Sequence, residues 1–318
     1  MRHSKINLFL GFLGFWACVA VSTGAIAQET VPEAASDEVE EIVVSARRIE
    51  GPMWQVRRGD SVLILVTPID LPKDMEWRTE ALVSAVDRAD RVLFPVEGRG
   101  SLADIGRMIW RFRTLTRLPD GRTSADYLSP ELEARVEALT GEGPSRQSFW
   151  LLADDLMEIG GGGGGQSAAN VVRRATRANR TPARAVGTLR GDELVDKILT
   201  TPPEQYRDCI AAAVIAGEAG PQGGAKRAED WRMRRVPALR SSPLQQAVDA
   251  CSYFSIMGQS DTLRRIWNTA VEESLAQTGA TVAIAPLVVV TEPGGVLDML
   301  EGQGLEIIGP DWKAAPAP

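Results

Sequence analysis

Three carboxylates stand where an enzyme of the α/β type would keep its chemistry. Asp70 follows the apolar run Val62 to Val66 across the turn "VTPID", Glu97 closes "RVLFPVE", and Glu292 follows "TVAIAPLVVV". Each lies at or just beyond the end of a predicted strand, and ligands of open α/β sheets bind outside the carboxyl ends of strands. As a set they offer oxygen ligands for a hard cation such as Ca²⁺ or Mn²⁺, provided that they converge. The alternative is three solvated loop acids. Asp154-Asp155 is a weaker acid/base pair, because adjacent helical residues point apart.

Histidine narrows the choice. The chain has one, His3, and it lies in a segment with the pattern of a secretory signal peptide. That segment has a short basic end, an apolar run rich in Leu and Phe, and the small-x-small site Ala25-Ile26-Ala27 before Gln28. A retained anchor is the alternative. Removal of residues 1–27 takes away Arg2 and Lys5 and no acid, which leaves 33 basic against 42 acidic residues, a balance of −9. The mature chain then lacks the parts for a Ser-His-Asp, Cys-His or His-ligated zinc site. Its acidity disfavours nucleic acid, which asks for a basic face. The expected location is periplasmic or secreted, with no membrane span after cleavage and no cofactor; the partner is an envelope protein or a small ligand. Cys209 and Cys251 remain, and in an oxidising compartment an isolated pair reads as a disulfide, with two buried thiols as the alternative.

The elements that would position these residues fall into three sections. Residues 28–50 form a flexible acidic lead. Its "EEIVVSARR" is similar to the strand-adding box of outer-membrane receptors, although no series of barrel strands follows. From Trp54 the pattern gives a hairpin around Arg58-Gly59-Asp60, a helix begun near Thr79 and the strand "RVLFPVE", a β-α-β unit with both strands in one parallel sheet. The middle is helical: "SLADIGRMIWRFRTL" sets Leu102, Ile105, Ile109 and Phe112 on one face, Pro130 starts a helix that Gly141 stops, and "QSFWLLADDLMEI" ends at Gly160–Gly165. That glycine run lacks the Lys and Ser/Thr of a phosphate loop and reads as a flexible connection. Arg173, Arg174, Arg177 and Arg180 make a basic helix face, and two later helices, begun near Pro203 and at Pro243, carry the cysteines. At the end come a helix stopped by Gly279, the buried strand "TVAIAPLVVV", a short helix and the strand "LEIIG". The fold class expected is α/β: a mixed, largely parallel sheet built from N- and C-terminal β-α-β units around a helical middle. A single domain from 51 to 312 is expected, with a tail at 313–318.

The ends resemble a known family. "PMWQVRRGDSVLIL", "VTPI", "DLP", "EWRTEALVSAVDRAD" and "RVLFPVE" follow, in order, the first unit of the TraB/GumN proteins, relatives of the Tiki metalloproteases. "LRRIWNTAVEESL", "TVAIAPLVVV", "TEPGGVLDML" and "GQGLEIIGP" follow the last unit. The resemblance implies a divalent-metal site built from two Gly-x-x-His strand ends and a strand-end Glu. Here Val66 takes the first Gly position and Ile69 the first His position, with Asp70 one residue on. Pro95 takes the Glu position with Glu97 two residues on, and Ala285 and Val288 take the second Gly and His. The resemblance therefore implies a degenerate member, a pseudoenzyme that binds. The alternatives are a hydrolase with a rebuilt carboxylate site and a scaffold using "EEIVVSARR".

Overall fold

The computed structural model describes residues 51–313 apart from Asp74 and Gly164. The expected signal peptide, the acidic lead with "EEIVVSARR" and residues 314–318 lie outside them.

The chain begins with β1 (Met53–Arg58) and β2 (Ser61–Val66), paired antiparallel from Met53 opposite Val66 to Arg58 opposite Ser61. Gly59, at φ +58°, makes the tight turn between them. A two-residue strand, β3 (Asp70–Leu71), and α1 (Glu80–Asp87) lead to β4 (Arg91–Phe94). "RVLFPVE" is not one strand. Pro95 has no N–H to give a sheet, so the ladder stops at Phe94, and β5 (Glu97–Arg99) pairs elsewhere.

The middle section holds α2 (Leu102–Trp110), α3 (Phe112–Thr116), α4 (Pro130–Thr140), α5 (Phe149–Ile159) and α6 (Ala168–Asn179), the last preceded by β6 (Gln166–Ser167). Arg111 interrupts the helix expected to run through Phe112, and Ile109 and Phe112 are exposed. Gly141 stops α4 in the left-handed region, as the glycine C-cap requires. After β7 (Ala183–Ala185), β8 (Thr188–Arg190) and α7 (Gly191–Thr200), a 3-10 turn at Pro203–Tyr206 runs into α8 (Arg207–Arg232). α8 breaks at Gly220, whose φ of +62° precedes Pro221.

The start of the glycine run is packed rather than free. A Cβ at Gly160 would stand 2.6 Å from the Ala216 carbonyl oxygen, and one at Gly224 would stand 2.7 Å from that of Gly161. Gly160 and Gly161 thus lie against α8 at a distance that only glycine permits. Next come α9 (Val236–Ser241), α10 (Pro243–Ala250) and α11 (Tyr253–Ile256). A disulfide joins Cys209, in α8, to Cys251, which caps α10. It adjoins a helical core that includes Phe149, Leu156, Ile210 and Val214.

α12 (Ser260–Leu275) ends four residues before Gly279, which instead opens β9 (Gly279–Ile284) at φ +98°. "TVAIAPLVVV" divides in two: Pro286 closes the strand, and Leu287–Thr291 forms α13. α14 (Val296–Gly302) and β10 (Ile307–Ile308) complete the chain. The main sheet has the order β10-β1-β2-β9-β4-β7. β2 and β4 are both parallel to β9, and β7 is parallel to β4, while β1 runs antiparallel to β2 and β10. The sheet is therefore mixed and largely parallel, with β9 of the C-terminal section slotted between β2 and β4 of the first unit. β3 pairs with β6 and β5 with β8 as two small ribbons. Trp54, Trp231 and Trp267 are fully buried.

Candidate functional site

β2, β9 and β4 lie side by side with their carboxyl ends at one edge of the sheet. Val66 pairs with Ile284, and the Ala285 N–H donates to the Val66 carbonyl at 3.0 Å. On the far side of β9, the Phe94 carbonyl at the end of β4 accepts from Val186 at 2.9 Å. The positions that the resemblance assigns to a metal site thus fall at the strand ends. Val66, Ile69 and Ala285 are buried, while Pro95 and Val288, the latter in the first turn of α13, are half-buried. Their side chains offer no ligand atom.

The three acids are engaged separately. Asp70 opens β3, exposed, and lies within electrostatic reach of Arg227. Glu97 accepts from Arg173 at 2.9 Å, and the same guanidinium sits 4.6 Å over the ring of Phe94. Glu292 accepts from Arg264 at 2.8 Å; that hydrogen bond raises the Arg264 pKa further. Among the described residues no three His, Cys, Asp or Glu side chains gather as a metal site would require. The donor set here does not fit a divalent metal. Of the basic helix face, Arg173 alone turns inward to the strand end, and Arg174, Arg177 and Arg180 are exposed.

The buried polar group at this end of the fold comes from helices instead. Arg227 of α8 donates through Nε and Nη2 to Oε1 of Gln245 in α10 at 3.0 and 2.8 Å, and Gln245 Nε2 donates to Asp249 Oδ1 at 2.9 Å. Burial pulls the Arg227 pKa down to about 10, while Asp70 and Asp249 hold it up, so the guanidinium stays charged at neutral pH. Burial likewise pushes Asp249 up to about 6. The Gln245 hydrogen bond and the positive charges of Arg227 and Arg240 oppose that rise, and Glu292 adds to it. One turn along α8, Trp231 Nε1 donates to the Thr67 carbonyl at 2.8 Å, which ties the helix to the end of β2. The edge of Trp77 packs on Trp231 with ring centroids 5.3 Å apart.

This arrangement can hold a proton at Asp249 and present a fixed positive charge beside Asp70; it does not assemble a metal's ligand shell. None of Arg227, Gln245 and Asp249 stood out in the sequence. One signal was available: Arg227 shares a helical face with Gly224 and Trp231, small and aromatic neighbours of a kind that mark a buried face.

Two clefts lie away from these residues. One, of about 340 Å³, opens between β7 and α12 beside Arg184, Ile266 and Glu273. The other, of about 80 Å³, is bounded by α3, α7 and Trp150. Ile69, Pro95, Ala285 and Val288 line neither.

Compared with known proteins, residues 52–308 match the family model described as the TraB/PrgY/gumN family. No curated protein and no solved structure matches the chain.

Proposed function

The chain belongs to the TraB/PrgY/gumN family, and from that premise we propose that it is an exported pseudoenzyme. In this reading residues 1–27 direct it to the periplasm or the exterior. The domain from about residue 51 to 312 then binds a protein or small ligand of the cell envelope without metal-dependent hydrolysis. The observation that carries the reading is the filling of the strand ends: Val66, Ile69 and Ala285 are buried aliphatic residues where the resemblance calls for a glycine, a histidine and a glycine. The acids support it, since Glu97 and Glu292 are already neutralised by Arg173 and Arg264. A hydrolase rebuilt on Asp70, Glu97 and Glu292 would first have to detach two of them from those arginines.

The test is a hydrolysis assay of the purified chain on mixed peptides with Mn²⁺, Co²⁺ or Zn²⁺ added. The expected rate equals that of the Asp70→Ala variant and of the blank. Hydrolysis that requires the metal and is lost in Asp70→Ala overturns the proposal.

A further inference from the structure

Two of the exposed aromatic residues of this acidic protein, Trp110 and Phe112, stand beside a row of arginines on the arm formed by α2 and α3. Every residue from Gly106 to Thr114 is exposed. A surface helix normally turns its apolar stripe to the core and its charges to water. Here an apolar residue stands in water: Arg107 approaches Asp196 of α7 at 3.7 Å, while Ile109, about 200° away around the helix, is 72% exposed. Met108 is 41%, Phe112 46% and Trp110 89% exposed.

Charge and shape identify the occupant. From Gly106 to Pro119 the chain carries Arg107, Arg111, Arg113 and Arg117 and no acid, in a protein of net charge −7. Arg111 and Arg113 form no ion pair with a described residue. A folded partner covers one side of a helix, whereas this arm offers apolar and basic groups around most of its circumference. A lipid interface takes in such a segment: Trp and Phe settle at the headgroup level, and arginines reach lipid phosphates on flexible stems.

We propose that the α2–α3 arm docks the protein on an anionic lipid surface. Met108, Ile109, Trp110 and Phe112 enter the boundary between headgroups and acyl chains, and Arg111, Arg113 and Arg117 meet the phosphates. This peripheral contact is separate from the strand-end site and holds whether or not that site has activity.

The test is flotation of the full chain with two kinds of vesicle, phosphatidylcholine alone and an equal mixture of phosphatidylcholine and phosphatidylglycerol. Wild type is expected to float with the mixed vesicles and far less with the neutral ones. Each arginine near an anionic surface strengthens binding about fivefold, so Arg111→Gln/Arg113→Gln is expected to weaken partition about 30-fold. Ile109→Ser/Trp110→Ser is expected to abolish it with the thermal midpoint unchanged, since both side chains already stand in water. Because the N-terminal apolar segment is common to all variants, flotation that these substitutions leave unaltered overturns the proposal. Equal binding to both kinds of vesicle overturns it too. So does a dimer in light scattering that Ile109→Ser/Trp110→Ser dissociates, which would make a second copy the occupant.

Discussion

Asp249→Asn should alter how stability depends on pH more than it alters stability itself. Burial pushes the Asp249 carboxyl up to about 6, against about 3.9 for an unfolded aspartate. Between those two values the folded chain holds a proton that the unfolded chain has released, so stability falls as pH rises through this window and levels off above pH 7. A difference of about two pH units corresponds to a loss of about 3 kcal/mol, of which about 1–2 kcal/mol is incurred between pH 5 and pH 8. Asparagine carries no charge at either pH, and its amide oxygen can still accept from Gln245 Nε2. The attraction of the charged carboxylate to Arg227 and Arg240 is already contained in the shifted pKa, and any effect of the substitution that does not depend on pH cancels when the two pH values are compared. For a domain of this size about 1–2 kcal/mol moves the midpoint by roughly 3–6 °C. Thermal melts at pH 5 and pH 8 should therefore show the variant gaining that much on wild type at the higher pH. A midpoint difference that is the same at both pH values, or that shrinks on going to pH 8, refutes the assignment of a raised pKa to Asp249.

Other perturbations read the scaffold. Cys209 and Cys251 are 42 residues apart, and closing a loop of that length stabilises by about 4 kcal/mol in the chain-entropy account. Cys209→Ser/Cys251→Ser should then lower the midpoint by roughly 8–16 °C; a shift of less than about 2 °C would mean that the bridge does not constrain the unfolded chain as argued. Gly224→Ala should lower stability by about 1–3 kcal/mol in urea melts, because its Cβ would stand 2.7 Å from the Gly161 carbonyl oxygen. Gly143→Ala meets nothing within 4 Å and serves as the control; equal effects at the two positions would contradict the close packing of the glycine run on α8.

The parts of the fold that were legible in the sequence are those set by local rules. The hairpin follows from two short strand signals around Arg58-Gly59-Asp60, and α4 follows from Pro130 and Gly141 at its ends. "LVVV" is ambiguous in the sequence because a buried strand and a buried helix present the same unbroken apolar run; Pro286 is the signal that separates them. The packing of Gly160 and Gly161 is not legible locally, because their partner surface, Ala216 to Gly224 on α8, lies more than fifty residues further along the chain. At the candidate site, the three acids were visible as strand-end residues, but their arginine partners were not. Arg173, Arg227 and Arg264 come from separate helices, and no local pattern in the sequence encodes which carboxylate each will meet. The Arg227–Gln245–Asp249 group is hidden for the same reason, since it exists only once α8 and α10 pack together.

Metal binding tests the central claim most directly. The purified chain, equilibrated with Zn²⁺, Mn²⁺ and Ca²⁺ in turn and then dialysed, would be measured for bound metal by elemental analysis beside Asp70→Ala and Glu292→Gln. The strand ends filled by Val66, Ile69 and Ala285, with Glu97 and Glu292 held by arginines, predict no stoichiometric metal in any of the three proteins. One equivalent retained by wild type and lost in either variant would contradict the account.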